Sequence, residues 1–108
     1  MTERLPNIHP GEMLKEDFLD PLGITPHRLA QDLHVPATRI SEIIKGRRSI
    51  TADTALRLAR YFQTSTQFWM NLQDQYELEQ AERDLPRDEL SRIRPNPDIA
   101  DAMNADRS

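Results

Sequence analysis

The fold is decided by residues 25–62, TPHRLAQDLHVPATRISEIIKGRRSITADTALRLARYF. Thr25 is suited to cap a first helix and Pro26 to open it, because proline lacks the N–H that would be unpaired there. The apolar face that follows contains a small residue, Ala30, where a second helix must cross closely. A tight turn at residues 34–35 then separates the two helices.

The second helix opens at Pro36 and places Ile40, Ile43 and Ile44 on one face. Gly46 is expected to end it, because glycine readily adopts the left-handed conformation of a helix stop. Two short amphipathic helices joined by so tight a turn are typical of a helix-turn-helix. DNA binding is therefore the leading hypothesis.

Three further helices are predicted, at about 10–19, 52–62 and 66–84. Pro21 and Gly23 are expected to end the helix at about 10–19, and Thr51 is expected to cap the helix at about 52–62. The residues predicted to face inward are Leu14, Phe18, Ala55, Leu58, Ala59, Phe62, Phe68 and Leu72.

From Pro86 the composition changes to proline, asparagine, arginine and aspartate, with few large apolar residues. Residues 86–108 are therefore predicted to form a loose tail with a weak helix at about 98–103, behind a domain that spans residues 1–85. Nowhere does the chain show the alternation of a strand. The predicted fold is an all-α bundle of five helices.

A chain of 108 residues is long enough for one domain with a modest core. The absence of cysteine excludes disulfides, zinc–thiolate sites and cysteine nucleophiles. No apolar run approaches the roughly 20 residues that span a bilayer, and the N-terminus has no apolar targeting segment. We expect a cytoplasmic protein without a membrane partner.

The charge is strongly polarised along the chain, although the net charge is −4. Residues 26–60 contain seven Lys or Arg against three acids, whereas residues 66–85 contain one arginine against five acids. Twelve of the fourteen cations are arginine, which favours forked contacts with phosphate or guanine. The alternative is that both segments are merely solvated surface.

The outer face of the helix that opens at Pro36 can be located by advancing 100° per residue from its isoleucines, which are expected to face inward. Thr38 can bond to a base or press its methyl on thymine, Arg39 can fork onto guanine, and Glu42 can accept from cytosine. Alternatively, Arg39 and Glu42 form an i,i+3 surface pair. The residues predicted to lie on or beside this face are Ala37, Thr38, Arg39, Ser41, Glu42 and Lys45.

Phosphate contacts are predicted for the end of that helix and the loop after it. Lys45, Arg47 and Arg48 would supply affinity and register without reading sequence. Thr25 and the first amide groups of its helix can also meet a phosphate, because a helix N-terminus favours anions. Each of these can instead be an ordinary surface residue.

Catalysis and metal binding have no support in the sequence. His9, His27 and His34 lack the i,i+3 or i,i+4 spacing that places two imidazoles on one metal ion. Adjacent acids such as Glu16 and Asp17 diverge around a helix. We expect no enzyme, no metal site and no cofactor.

The fifth helix contains the segment FWMNLQDQY at residues 68–76. An aromatic stripe at helical spacing is most simply core, but a thin bundle has little room for all of it. A homodimer interface at Phe68, Trp69, Leu72 and Tyr76 is therefore the alternative. It suits DNA binding, because a helix-turn-helix usually works as a two-fold dimer.

Three segments together resemble the HigA-type antitoxins, a VapI-like branch of the XRE-family regulators with a lambda-repressor-like helix-turn-helix. They are HPGEMLKEDFLDPLGIT at 9–25, GRRSITADTALRLARYF at 46–62 and FWMNLQDQYEL at 68–78. The resemblance implies a homodimer that neutralises a small HigB-like ribonuclease toxin and represses its own operon at palindromic operator DNA. It assigns groove-facing positions to Ala37, Thr38, Arg39, Ser41 and Glu42. It also assigns backbone contacts to Lys45, Arg47 and Arg48, and subunit contacts to the fifth helix.

A free-standing transcriptional regulator without a toxin partner is the alternative function, because its DNA-reading half would look the same. A small hydrolytic enzyme is disfavoured, since the chain offers no pairing of a nucleophile with a base.

Overall fold

The computed structural model of the chain describes residues 5–99, which contain helices and no strand. Helix α1 consists of three consecutive pieces, Pro10–Met13, Leu14–Leu19 and Asp20–Leu22. The other helices are α2, Pro26–Leu33; α3, Ala37–Ile44; α4, Ala52–Phe62; α5, Thr66–Asp84; and α6, Arg87–Ser91. The predicted all-α fold is confirmed.

Helix α1 differs from the prediction, because its middle piece is π-helical and Pro21 does not end it. Proline cannot donate to the carbonyl four residues earlier, that of Asp17, and its ring clashes with it in a regular α-helix. The wider turn, in which the N–H of Asp20 bonds to the carbonyl of Lys15, accommodates the ring. The helix ends only at Gly23, whose φ is 67°.

The helix-turn-helix has the predicted caps. The hydroxyl of Thr25 accepts a hydrogen bond from the N–H of Arg28 at 3.1 Å. His34 adopts a left-handed φ of 61°, and the N–H of Val35 then bonds to the carbonyl of Ala30 at 3.0 Å. Gly46, with a φ of 75°, follows α3 as predicted. Both ends of the motif are thus fixed by local hydrogen bonds.

The N-cap of α4 is weaker than the sequence suggested. Thr51 occupies the capping position, but its side chain accepts no hydrogen bond from the helix. Its hydroxyl lies 3.5 Å from that of Thr54 instead. By contrast, Ser65 caps α5 by accepting from the N–H of Phe68 at 3.0 Å.

The core contains buried residues from each of the helices α1 to α5, among them Trp69 of α5, which has no exposed surface. The indole N–H donates to the hydroxyl of Thr64 at 2.7 Å, and the rings of Phe18 and Phe62 pack against the indole with centroids 4.9 Å and 6.0 Å away. Trp69 therefore has no surface for a partner chain. This corrects the expectation that it lies in a subunit interface.

Several predicted inward residues are only partly covered. Phe18, Phe62, Leu72 and Tyr76 are half-buried, and Phe68 is 37% exposed. By contrast, Leu14, Leu29, Ile40, Ile43 and Leu58 are completely buried.

The predicted loose tail contains a short helix, α6, and a second helical stretch at residues 97–99, where the described residues end. Pro86 occupies the N-cap position of α6, and Asp88 and Glu89 lie in its first turn, where acids suit the helix dipole. Every side chain from Pro86 to Ile99 is exposed. Of the weak helix predicted at about 98–103, residues 98 and 99 are helical, and the rest lies outside the described residues.

The HPG sequence at 9–11 places α1 directly on the end of α3. His9 caps α1, because its Nδ1 accepts from the N–H of Gly11 at 2.9 Å. A Cβ at Gly11 would lie 1.8 Å from the carbonyl oxygen of Ile43. Only glycine allows the two backbones to approach this closely.

A side chain of α5 fixes the loop that follows α3. The Oε1 of Gln73 accepts from the backbone N–H of Ile50 at 2.8 Å, and both residues are buried. The other end of the amide, Nε2, is buried without a hydrogen-bond partner within the described structure. The bond to Ile50 therefore holds the loop against the core.

Gly11→Ala should lower the free energy of unfolding by about 3 kcal/mol, because the new methyl forces α1 away from α3. Gly23→Ala is the matched control, since a Cβ there meets nothing within 4 Å. Its left-handed backbone should cost only about 1 kcal/mol. Urea unfolding monitored by circular dichroism measures both, and equal losses would contradict the close contact.

Candidate nucleic-acid interface

The outer face of α3 is fixed by the residues opposite it. Ile40 and Ile43 are completely buried, so the side of α3 opposite to them faces outward. Ala37 and Thr38 are exposed there, and Ser41 is partly exposed one turn later. The outer side of the N-terminal half of α3 is therefore accessible to a macromolecular ligand.

Arg39 is held by an acid of another helix. Its Nη1 donates to Oδ1 of Asp53 at 2.8 Å, and Nε of Arg57 donates to the same oxygen at 2.8 Å. Arg57 also donates through Nη1 to the backbone carbonyl of Leu33 at 2.8 Å. A chain of charge-assisted bonds thus connects the end of α2, the first turn of α4 and α3.

Glu42 and Arg48 form a separate surface pair, with Oε1 and Nη2 2.9 Å apart. The two side chains are 42% and 46% exposed, so the pair is worth at most about 1 kcal/mol. A base or a phosphate can displace it at small cost. The predicted pair between Arg39 and Glu42 is not formed, because each residue has a closer partner of opposite charge.

The loop after α3 presents cations that the protein itself leaves unengaged. Lys45 and Arg47 are exposed, and neither side chain makes an ion pair or hydrogen bond within residues 5–99. The backbone N–H of Arg47 donates to the carbonyl of Glu42 at 2.8 Å, which anchors the loop to α3. Their guanidinium and ammonium groups are therefore available to an anionic partner.

Two carboxylates beside this interface are held in the ionised form. The hydrogen bond from Arg57, helped by that from Arg39, keeps the pKa of Asp53 below its ordinary value of 3.8. The hydroxyl of Tyr61 donates to Asp32 at 2.7 Å and lowers the pKa of that carboxyl in the same way. Both acids are charged at neutral pH and serve to orient cations.

His9 shows a different effect. Partial burial lowers the pKa of its imidazole, which favours the neutral form that accepts the Gly11 hydrogen bond. His, Asp and Glu side chains nowhere cluster as a metal site would require within the described range. None of the helices described here is long and apolar enough to cross a bilayer.

Comparisons with known proteins give the family. A family model described as helix-turn-helix matches residues 14–69. The chain is 54% identical over 80 residues to virulence-associated protein I of Dichelobacter nodosus, covering 74% of each chain. It is 39% identical over 77 residues to antitoxin HigA-1 of Vibrio cholerae serotype O1, covering 71% of each.

A solved structure, Pseudomonas aeruginosa antitoxin HigA with the higBA promoter, matches with a TM-score of 0.80 and 44% identity. The match covers 83% of this chain and 98% of that one. The chain belongs to the HigA-type helix-turn-helix family. The resemblance stated from three sequence segments is thereby confirmed.

In this HigA-type chain the predicted site residues fall into separate groups. The pair Glu42–Arg48 is brought together, and Arg39 is bound to α4. Thr25 is engaged in capping α2, and its exposed position leaves the first amide groups of that helix near solvent. The residues of α5 form their own group, in which Tyr76 packs against His9 with ring centroids 4.8 Å apart.

In this HigA-type chain, sequence reasoning missed Asp53 and Arg57, which are bonded to each other and, through Asp53, to the candidate interface residue Arg39. Their i,i+4 spacing on α4 is a visible signal of an ion pair. Nothing in the spacing shows that the pair reaches Arg39, fourteen residues earlier in the chain. That contact forms only because the fold brings the first turn of α4 within side-chain reach of Arg39.

Proposed function

We propose that this chain is a DNA-binding antitoxin that acts as a homodimer in the cytoplasm. It binds operator DNA to repress its own operon and neutralises a small HigB-like ribonuclease toxin. The observation that carries the proposal is the accessible first turn of α3 beside unengaged cations, on a fold that matches a HigA antitoxin with promoter DNA at a TM-score of 0.80.

Base reading is assigned to the N-terminal half of α3, which enters the major groove in helix-turn-helix proteins. Thr38 offers a hydroxyl and a methyl, Arg39 a fork for guanine, and Glu42 an acceptor for the cytosine amino group. Ala37 and Ser41 lie beside them on the same turns. These contacts determine which sequence is bound.

Phosphate binding is assigned to Lys45, Arg47 and Arg48, with Thr25 at the start of α2. Lys45 and Arg47 are exposed and unengaged, so contact with DNA costs them no internal bond. Arg48 must exchange its ion pair with Glu42 for a phosphate contact. Because the pair is exposed, its loss costs at most about 1 kcal/mol. Such contacts supply affinity for any sequence.

The dimer is assigned to the edge of α5 that carries Phe68, Leu72 and Tyr76. These residues recur every four positions, so they form one stripe. Each retains some exposed surface in the monomer, unlike Trp69 beside them. Two such stripes packed together would cover apolar surface in both subunits and place two copies of α3 on one duplex.

The toxin-binding surface is assigned to the acidic side of α5. Asp74 and Glu77 are exposed and flank Leu78, which is 63% exposed. Acids repel DNA, so this surface does not serve operator binding. Facing a basic ribonuclease, they would speed encounter and oppose its grip on RNA.

Arg39→Ala should weaken operator binding by about 1–3 kcal/mol and relax preference at one base pair in each half-site. Arg47→Ala should instead weaken binding to every duplex and flatten the salt dependence. Fluorescence anisotropy with operator and random duplexes at several salt concentrations measures both. Equal losses on both duplexes for Arg39→Ala would remove it from the base-reading residues.

Leu72→Glu should shift the protein from dimer to monomer, because a carboxylate would be buried between the two stripes. Leu78→Glu on another side of α5 is the matched control and should leave the dimer intact. Sedimentation at micromolar concentration measures both, with thermal unfolding as a check on folding. A monomeric unmodified protein, or dissociation by Leu78→Glu alone, would refute this interface.

Co-expression with the adjacent open reading frame tests the toxin. Its product should arrest growth alone, and this chain should restore growth and co-purify with it. Asp74→Lys with Glu77→Lys should weaken co-purification, whereas the same reversals at Asp88 and Glu89 on α6 should not. If the neighbouring product is harmless and does not co-purify, the chain is a stand-alone regulator.

A further inference from the structure

We propose that Asp53 is a positioning residue that fixes Arg39 for base reading, a role that rests on the proposed operator binding. Asp53 lies on α4, outside the recognition helix, and has no base to read itself. Its carboxylate nonetheless bonds to the side chain best suited to recognise guanine. Sequence preference would then depend on an acid that never touches a base.

The geometry of the contact leaves the reading edge of Arg39 open. The guanidinium carries five N–H donors, and only Nη1 is engaged by Asp53 within residues 5–99. The edge formed by Nε and Nη2 remains available for a forked contact with guanine O6 and N7. The side chain is 29% exposed, so it is largely covered by the protein and still reaches solvent.

The acid is itself held in place by Arg57. Both guanidinium groups donate to the same oxygen, Oδ1, each at 2.8 Å. Arg57 is anchored in turn to the carbonyl of Leu33 at the end of α2. Through Arg57, Asp53 is thus connected to the backbone of the helix-turn-helix at the end of α2.

This arrangement reduces two costs of reading DNA. A free arginine must give up many rotamers to fork onto one base, whereas Arg39 is already confined before binding. A lone carboxylate near phosphates would repel them, but two arginines surround this one and leave a net charge of +1. Removing Asp53 should therefore raise attraction to any DNA while reducing discrimination between sequences.

The test is Asp53→Ala, assayed by fluorescence anisotropy on three duplexes. They are an operator selected from a random-sequence pool, the operator altered at the base pair identified by Arg39→Ala, and a random duplex. The operator-to-altered ratio should fall about 3- to 10-fold, and affinity for the random duplex should stay equal or rise. In an Arg39→Ala background, Asp53→Ala should leave the ratio unchanged, because the two residues act as one unit.

Asp32→Ala is the matched control. Asp32 also accepts two bonds on one oxygen, from Arg28 at 2.9 Å and Tyr61 at 2.7 Å, but it does not contact Arg39. Asp32→Ala removes the same negative charge as Asp53→Ala and should not alter the ratio of affinities for the operator and the altered operator. If Asp53→Ala is poorly folded by circular dichroism, Asp53→Asn keeps the shape and tests the same contact with a smaller expected change.

Two results would overturn the proposal. An unchanged ratio in a folded Asp53 variant, or an equal loss on all three duplexes, would show that Asp53 serves only folding or general electrostatics. In both cases the wild-type protein still prefers its operator, so the proposed operator binding stands. A wild-type protein that prefers no duplex would overturn the proposed function as well, so the two failures are distinguishable.

Discussion

The backbone contact between Gly11 and the carbonyl of Ile43 is the constraint on which the recognition surface depends. That carbonyl belongs to the last turn of α3 and also accepts the N–H of Gly46 at 3.0 Å. A Cβ on Gly46 would in turn lie 3.6 Å from the ring of His9. The start of α1, the end of α3 and the start of the cationic loop are therefore packed at one point, where Gly11 meets the backbone of Ile43 and the His9 ring meets Gly46.

From this point the polar bonds extend the constraint to both sides of α3. Gln73 holds the loop after the helix through the N–H of Ile50, and Arg57 holds the turn before it through the carbonyl of Leu33. Neither bond is made by α3 itself. The recognition helix is thus oriented by its neighbours, which leaves its outer residues available for contact with a ligand.

How much of this could be predicted depends on how local each cause is. The bounds of α2 and α5 follow from short-range signals such as the Thr25 cap and the spacing of apolar residues, and they were predicted closely. The π-helical turn of α1 was not predicted, because the clash between the Pro21 ring and the carbonyl of Asp17 can be relieved in several ways. The roles of the DNA-contacting residues remain predictions.

The contacts between helices were the least predictable. The spacing of Trp69 on α5 fits either the core or a subunit interface, and the choice is settled by Phe18 and Phe62, which pack against the indole from other helices. The link between Arg39 and Asp53 likewise requires that a side chain of α3 reach a side chain of α4. Sequence spacing reports neighbours along one helix and says little about neighbours across two.

The bond between Gln73 and Ile50 also joins two motions that would otherwise be independent. Ile50 lies in a loop, yet its amide hydrogen is directed at an acceptor inside the core. Exchange of that hydrogen with solvent requires the loop and α5 to separate, so it should proceed at the slow rate of core opening. Core-like protection of this loop amide would show that α5 and the segment that carries Arg47 and Arg48 move together.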